Sequence, residues 1–187
     1  GRGFVTFNGN VTKIGDNAFY NCGSNLISIN IPYGVTTIGY RAFSECSNLT
    51  SIAIPNSVTP IGYRAFFGCS SITSVIIPSS VTTIEQGAFQ NCSGLTSVTI
   101  PNSVTTMGNF AFCGCSKLAK VTISNGIRTI GYGTFKDCTS LTSVTIPDSV
   151  TMIGDNVFYN CYSLINVYCK ATNPPFLCFE AFLYNAS

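Results

Sequence analysis

Apolar residues along this chain follow neither a helical nor a simple strand period; they recur as a block. Leu49, Ile52, Ile54, Val58, Ile61, Ala65, Phe66 and Cys69 are followed 23 positions on by Ile72, Val75, Ile77, Val81, Ile84, Ala88, Phe89 and Cys92. The next block shifts every member again, to Leu95, Val98, Ile100, Val104, Met107, Ala111, Phe112 and Cys115. The pair Ile-Pro keeps the same count at Ile54-Pro55, Ile77-Pro78, Ile100-Pro101 and Ile146-Pro147, and Ile31-Pro32 fits it. Self-similarity at a fixed period of this length is the mark of a solenoid, so the fold is read from the repeat. Seven units span residues 2–163, the first starting at Arg2 and the seventh at Leu141, with one extra residue near Gly23 to Asn25. From Leu164 the pattern departs, and residues 164–187 are expected to form a partial repeat and irregular C-terminal cap. The whole chain, 1–187, reads as a single repeat domain.

Each unit divides into three pieces. LTSVTIP alternates apolar and polar side chains, is rich in β-branched residues and stops at proline, which predicts a short strand with Leu, Val and Ile inward. SVTTIG predicts a turn and a second short extended piece, ended by a glycine expected at positive φ, with Glu85 the exception. The third piece, such as YRAFFGCSS, bunches Ala-Phe with Cys three positions on and predicts one helical or 3₁₀ turn on the back of the coil, its Phe inserted as a wedge. One coil cannot bury eight apolar groups alone. Coils stacked about 4.8 Å apart can, by pairing strand with strand and covering each other's faces. The expected architecture is a right-handed coil of short parallel strands.

Composition removes several functions. Charged residues make up 9% of the chain and apolar ones 45%, which argues against disorder. The nine basic and seven acidic residues, net +2, are scattered singly, so no run suits a series of phosphates or an anionic leaflet. Nucleic acid and direct membrane insertion are therefore not expected; Ser, Thr, Asn and Gly interrupt every apolar stretch well short of the roughly 18 to 20 residues that span a bilayer. The opening Gly1-Arg2-Gly3 lies partway into a repeat and suggests a piece of a longer protein.

The unit LTSVTIPDSVTMIGDNVFYNCYS resembles the BspA-type leucine-rich repeat family, and the match runs over about 165 residues. The C-terminal VYCKATNPPFLCFEAF resembles the irregular segment that follows such arrays in surface proteins of gut and oral bacteria. The resemblance implies a leucine-rich horseshoe or flat solenoid displayed outside the cell, with adhesion, host-matrix binding or co-aggregation as its roles and a host or bacterial surface protein or glycan as partner. It carries no catalytic residues.

Seven of the ten cysteines, Cys22, Cys46, Cys69, Cys92, Cys115, Cys138 and Cys161, share one repeat position. Zinc would need ligands converging on a point, usually with some His, and this chain has none. The position reads as a small buried apolar residue with its thiol beneath the next rung. Free thiols are expected; of the two further pairings, Cys113 with Cys115 and Cys169 with Cys178, the second is the better candidate for a bridge, against which Cys169 falls where a strand Ile would be buried. Absence of His removes Ser-His and Cys-His catalysis, and Asp137, Asp148 and Asp155 sit at different offsets as turn and cap residues. No catalytic residue, metal or cofactor is expected.

Outward strand positions remain as the place where one solenoid differs from another. Ser74, Ser97, Thr99, Lys120, Thr122, Ser143, Thr145, Asn166 and Tyr168 line that candidate ligand face, continuing Ser28, Asn30, Ser51, Ala53 and Ile76. They form either a shallow, nearly uncharged ligand surface, with Lys120 and Tyr168 its least generic members, or a solvated filler of good strand formers. A second candidate patch, Tyr40, Arg41, Tyr63 and Arg64, lies before the Phe wedge on adjacent rungs; it is a contact patch or tyrosine packing over a neighbouring turn. Thr36, Thr59, Thr82, Thr105 and Thr151 make a further ladder, but Arg128 and Pro60 spoil its regularity as an ice-binding surface.

The expectation is a non-catalytic surface protein that binds protein or glycan. A structural spacer is the alternative, and an ice-binding or hydrolytic surface a remote one. Val5 and Phe7 at one open edge favour end-to-end self-association, and Asn173-Pro174-Pro175 is expected to block the strand ladder at the other.

Overall fold

Alternation in LTSVTIP builds the front wall. In the computed structural model, which describes residues 3–7, 9–23, 25–178 and 180–182, these segments form seven short strands, all pairing in parallel. They are β1 (Gly3–Val5), β3 (Leu26–Asn30), β5 (Ser51–Ala53), β8 (Ser97–Ile100), β10 (Lys120–Ile123), β12 (Ser143–Ile146) and β14 (Asn166–Cys169). Isolated bridges Ala53↔Ile76 and Ser74↔Ser97 carry the ladder through the fourth coil. Register follows the repeat, Ser28↔Ser51 and Lys120↔Ser143, each 23 apart. Val5↔Ile29 and Lys13↔Thr37 are 24 apart, which places the extra residue between the first and second coils. Arg2, the expected start of the first unit, and residues 183–187 of the expected cap lie outside the described residues.

The TTIG pieces make a second wall of two-residue strands: β2 (Lys13–Ile14), β4 (Thr37–Ile38), β6 (Pro60–Ile61), β7 (Thr83–Ile84), β9 (Thr106–Met107), β11 (Thr129–Ile130), β13 (Met152–Ile153) and β15 (Phe176–Leu177). From the second coil on, the glycine that ends such a piece is needed for a different reason from the one expected. Gly62 does not have positive φ; a Cβ there would lie 2.6 Å from the Ile38 carbonyl oxygen of the preceding coil. Close rung-to-rung approach excludes the side chain.

The back of the coil also differs from expectation. Among the described residues there is no helix; the third piece is a run of overlapping turns. Ala65, Phe67 and Cys69 donate their amides to carbonyls three residues back, at 3.1, 3.1 and 3.2 Å. Alternate amides, of Arg64, Phe66 and Gly68, donate to Gln86, Ala88 and Gln90 of the next coil at 3.0, 2.8 and 2.9 Å. Positive φ at Arg64 (49°) and Gly68 (71°) turns the chain so that both directions are served. A helix would keep its amides inside one coil; here the back wall is hydrogen-bonded rung to rung as the front wall is.

Between the walls the core is a set of ladders. Phe19, Phe43, Phe66, Phe89, Phe112, Phe135, Phe158 and Phe182 stack face to face with centroids 5.1 to 5.8 Å apart. The six from Phe43 to Phe158 are fully buried. Beside them each ladder cysteine from Cys46 to Cys161 donates its thiol proton to a phenylalanine carbonyl of the preceding coil, as Cys92 does to Phe66 at 3.1 Å and Cys138 to Phe112 at 3.3 Å. The cysteines are therefore small core groups with a satisfied S–H.

The expected cap is an irregular eighth coil. Asn173-Pro174-Pro175 does not stop the ladder: β14 pairs with β12 before it, β15 pairs with β13 after it, and Phe182 stacks on Phe158. Proline sits in the corner between walls, where no ladder amide is required, and Met152↔Phe176 shows that the corner takes one residue more. Cys169 and Cys178 are free thiols, and Cys169 is exposed, so the bridge is not formed.

Candidate functional site

The sheet register gathers the front-face candidates into two columns. Ser97, Lys120, Ser143 and Asn166 are direct neighbours in one; Thr99, Thr122, Thr145 and Tyr168 in the other. Ser74 joins the first through its bridge to Ser97. Their side chains alternate with the buried Val98, Val121 and Val144, which fixes them outward. Most are exposed. Ser143 and Thr145 are half-buried and, with Lys120, Thr122 and Lys170, line a depression of about 240 Å³. A neighbouring depression of about 370 Å³ lies over Ser74, Ile76, Ser97 and Thr99, with Ile76 82% exposed at its centre. Tyr168 stands 56% exposed beside Thr145.

Lys170 was missed by sequence reasoning. It occupies the position held by Pro55, Pro78, Pro101 and Pro147 in other units, so the break in the pattern was itself the signal. No outward position of these two columns from Ser74 to Tyr168 is acidic. The face is therefore neutral over most of its length and cationic at one end.

On the back, the second patch is ordered by its rings. Tyr40 and Tyr63 stack 5.3 Å apart and 5° from parallel. The Arg41 guanidinium carbon lies 5.3 Å from the Tyr40 centroid; that of Arg64 lies 5.4 Å from Tyr63 and 5.0 Å from Phe67. Both expected elements, contact-type residues and tyrosine packing, are present together. Arg41 and Arg64 also hold positive φ, 48° and 49°. A non-glycine side chain in that region costs of order 1–3 kcal/mol. Equivalent positions elsewhere hold Asn17, Gly87, Gly133 and Asn156, with Phe110 packed edge-on against Tyr132 at 4.9 Å as the other bulky case.

Chemistry within the core is suppressed by burial. It raises the thiols of Cys69, Cys92, Cys115 and Cys138 well above the ordinary value of 9, that of Cys46 to about 11 and that of Cys161 to about 12. Thiolates are disfavoured there because the apolar stack solvates charge poorly. Asp137 accepts a hydrogen bond from the Asn160 amide at 2.8 Å, while Asp148 and Asp155 are exposed. Among the described residues no group of three His, Cys, Asp or Glu is placed to hold a metal, and no helix is long and apolar enough to cross a membrane. Thr36, Thr105 and Thr151 donate their hydroxyls to carbonyls of the preceding coil at 3.2, 3.5 and 3.3 Å. An apolar opening of about 370 Å³ lies between Ile146, Val167, Leu177 and Phe182 at the eighth coil.

Parallel strands stacked one per coil around an apolar ladder define a leucine-rich-repeat solenoid. The family model described as the BspA type leucine rich repeat region matches in six copies over residues 4–95 and 59–182, and the chain belongs to that family. Among solved structures it is similar to a leucine-rich repeat protein from Bacteroides ovatus, at 32% identity and a TM-score of 0.83 over 97% of this chain and 47% of that one. The leucine-rich repeat protein of T. pallidum is 33% identical with a TM-score of 0.75, covering 83% of this chain and 72% of that one. A leucine-rich repeat protein from Eubacterium ventriosum shares the fold at 22% identity and a TM-score of 0.66, over 100% and 65%. The chain thus spans about half the length of the Bacteroides ovatus protein. No curated protein matches it.

Proposed function

We propose that the chain is a non-catalytic recognition module, displayed outside the cell, whose front face binds a protein or glycan by area and shape. The observation that carries this reading is the convergence of Lys120, Lys170 and Tyr168 around half-buried Ser143 and Thr145 on an otherwise neutral face. Hydroxyls and an exposed aromatic ring suit a shallow interface with charged groups at its rim, and a rigid sheet presents them without a backbone ordering cost. Display outside the cell rests on the family resemblance. The absence of His and the suppressed core thiols support a non-catalytic role.

The test is binding of the reduced, monomeric protein to arrayed matrix proteins, glycans and bacterial envelope components, with Lys120→Glu and Tyr168→Ala alongside. Saturable binding weakened about tenfold or more by each substitution is expected. A second reading, a spacer that holds another domain away from the envelope, is favoured by the plain first column of Ser28, Ser51, Ser74 and Ser97. Silence across the whole array would move the account to it.

A further inference from the structure

We propose that Arg41 and Arg64 form a two-arginine clamp for a tetrahedral oxyanion, sulfate or phosphate, on the wall opposite the front face. Four observations converge on it. First, the two guanidinium groups are positioned by stacking: each lies over its own tyrosine, and the tyrosines lie 5.3 Å apart and nearly parallel. Arg41 and Arg64 thus project from adjacent rungs of the stack. Second, like charges on adjacent rungs repel, yet among the described residues neither guanidinium has a carboxylate or hydrogen-bond partner. Of the acids on the neighbouring turns, Asp16 accepts the Tyr40 amide at 3.0 Å and lies 3.9 Å from Lys13, Glu45 lies over Gly68, and Glu85 is exposed and makes no ion pair with Arg64.

Third, the Nε atoms of both arginines are buried without an acceptor, so only the outer edges of the guanidiniums remain for a partner. Fourth, both arginines sit at a left-handed backbone position that other coils give to Asn or Gly and, in one case, to Phe110, and two successive coils accept that strain for the same side chain. The strain, the stacking and the missing counter-ion have one explanation if the outer edges share an anion. Guanidiniums carried by two adjacent rungs offer donors at two heights. A tetrahedral anion can accept from both, whereas a planar carboxylate pairs with one fork. The clamp lies on the turns of the second and third coils and does not depend on the front-face reading.

The test is calorimetric titration of the intact protein with inorganic sulfate at constant ionic strength, followed by dextran sulfate. Saturable binding of one sulfate is expected. Arg41→Lys and Arg64→Lys, which keep the charge but lose the fork, should each weaken it at least tenfold, and Lys117→Gln should leave it unchanged. Near-ultraviolet circular dichroism of the tyrosines shows that each variant is folded. Tighter binding per sulfate group on dextran sulfate assigns the clamp to a sulfated glycan, and equal binding assigns it to the free anion; either agrees with the clamp. Absence of saturable sulfate binding, retention of affinity in both lysine variants, or an equal loss in Lys117→Gln overturns it.

Discussion

At the scale of single residues, side chains that join a ladder carry the stability and those that only face water do not. Phe89 is fully buried between Phe66 and Phe112 at 5.2 Å on either side, so Phe89→Ala leaves a cavity in a stack with little freedom to collapse. A loss of about 3 to 5 kcal/mol is expected in denaturant unfolding, against a change within about 0.5 kcal/mol for exposed Ser97→Ala. The thiols give a second prediction. Burial holds Cys46 near 11, Cys161 near 12 and Cys92 higher than the ordinary value, whereas the unfolded chain loses these protons near 9. Above that pH the native state binds more protons than the unfolded one, and stability falls. Stability should be unaffected by these groups below pH 8 and decline steadily between about pH 9 and 12, with a shallower decline in Cys92→Ala. At pH 8 a thiol reagent should modify exposed Cys169 rapidly and Cys92 only on unfolding; equal rates would contradict the burial.

At the scale of the coil, what matters is how each piece passes its hydrogen bonds to the next rung. Gly62→Ala places a Cβ against the Ile38 carbonyl and the Gly39 backbone, and should lower stability by about 1 to 3 kcal/mol. Gly15→Ala, the same position in the first coil, meets nothing within 4 Å and should be neutral or slightly stabilising in the same thermal melt. The front wall was legible from the sequence because alternation with β-branched residues has one reading, and the Cys and Phe ladders because a 23-residue shift superimposes them. The back wall was not. Apolar residues bunched with a three-residue gap suit a 3₁₀ turn as well as a turn ladder, and the deciding feature, positive φ at two positions four apart, is carried by residues as different as Arg41, Asn91 and Phe110. The glycine after the second strand misled for a related reason: Gly serves both positive φ and close approach, and only the stacked neighbour tells which. The proline pair at 174–175 was read as a stop because its place in a corner cannot be seen without the register of the coil around it.

At the scale of the whole molecule, the coils are joined only to their neighbours, so stability sums over interfaces and no single hydrophobic centre exists. Deleting residues 73–95, one full repeat, should leave a folded array with the remaining register intact and a denaturant m-value lower in proportion to the surface lost. The same economy governs function. A rigid array offers two opposite walls, and the front-face candidates were legible as a set because outward strand positions follow directly from the period, while Lys170 and the half-burial of Ser143 and Thr145 needed the eighth coil in place.

The central claim is that recognition belongs to the front wall near the eighth coil, and affinity for a partner captured by the intact protein tests it most directly. Lys120→Glu, Lys170→Glu and Tyr168→Ala should each weaken binding about tenfold or more, while Lys117→Gln and Glu85→Gln, off that face, should not change it. Equal affinity in all five variants would contradict the claim and leave the array as a spacer.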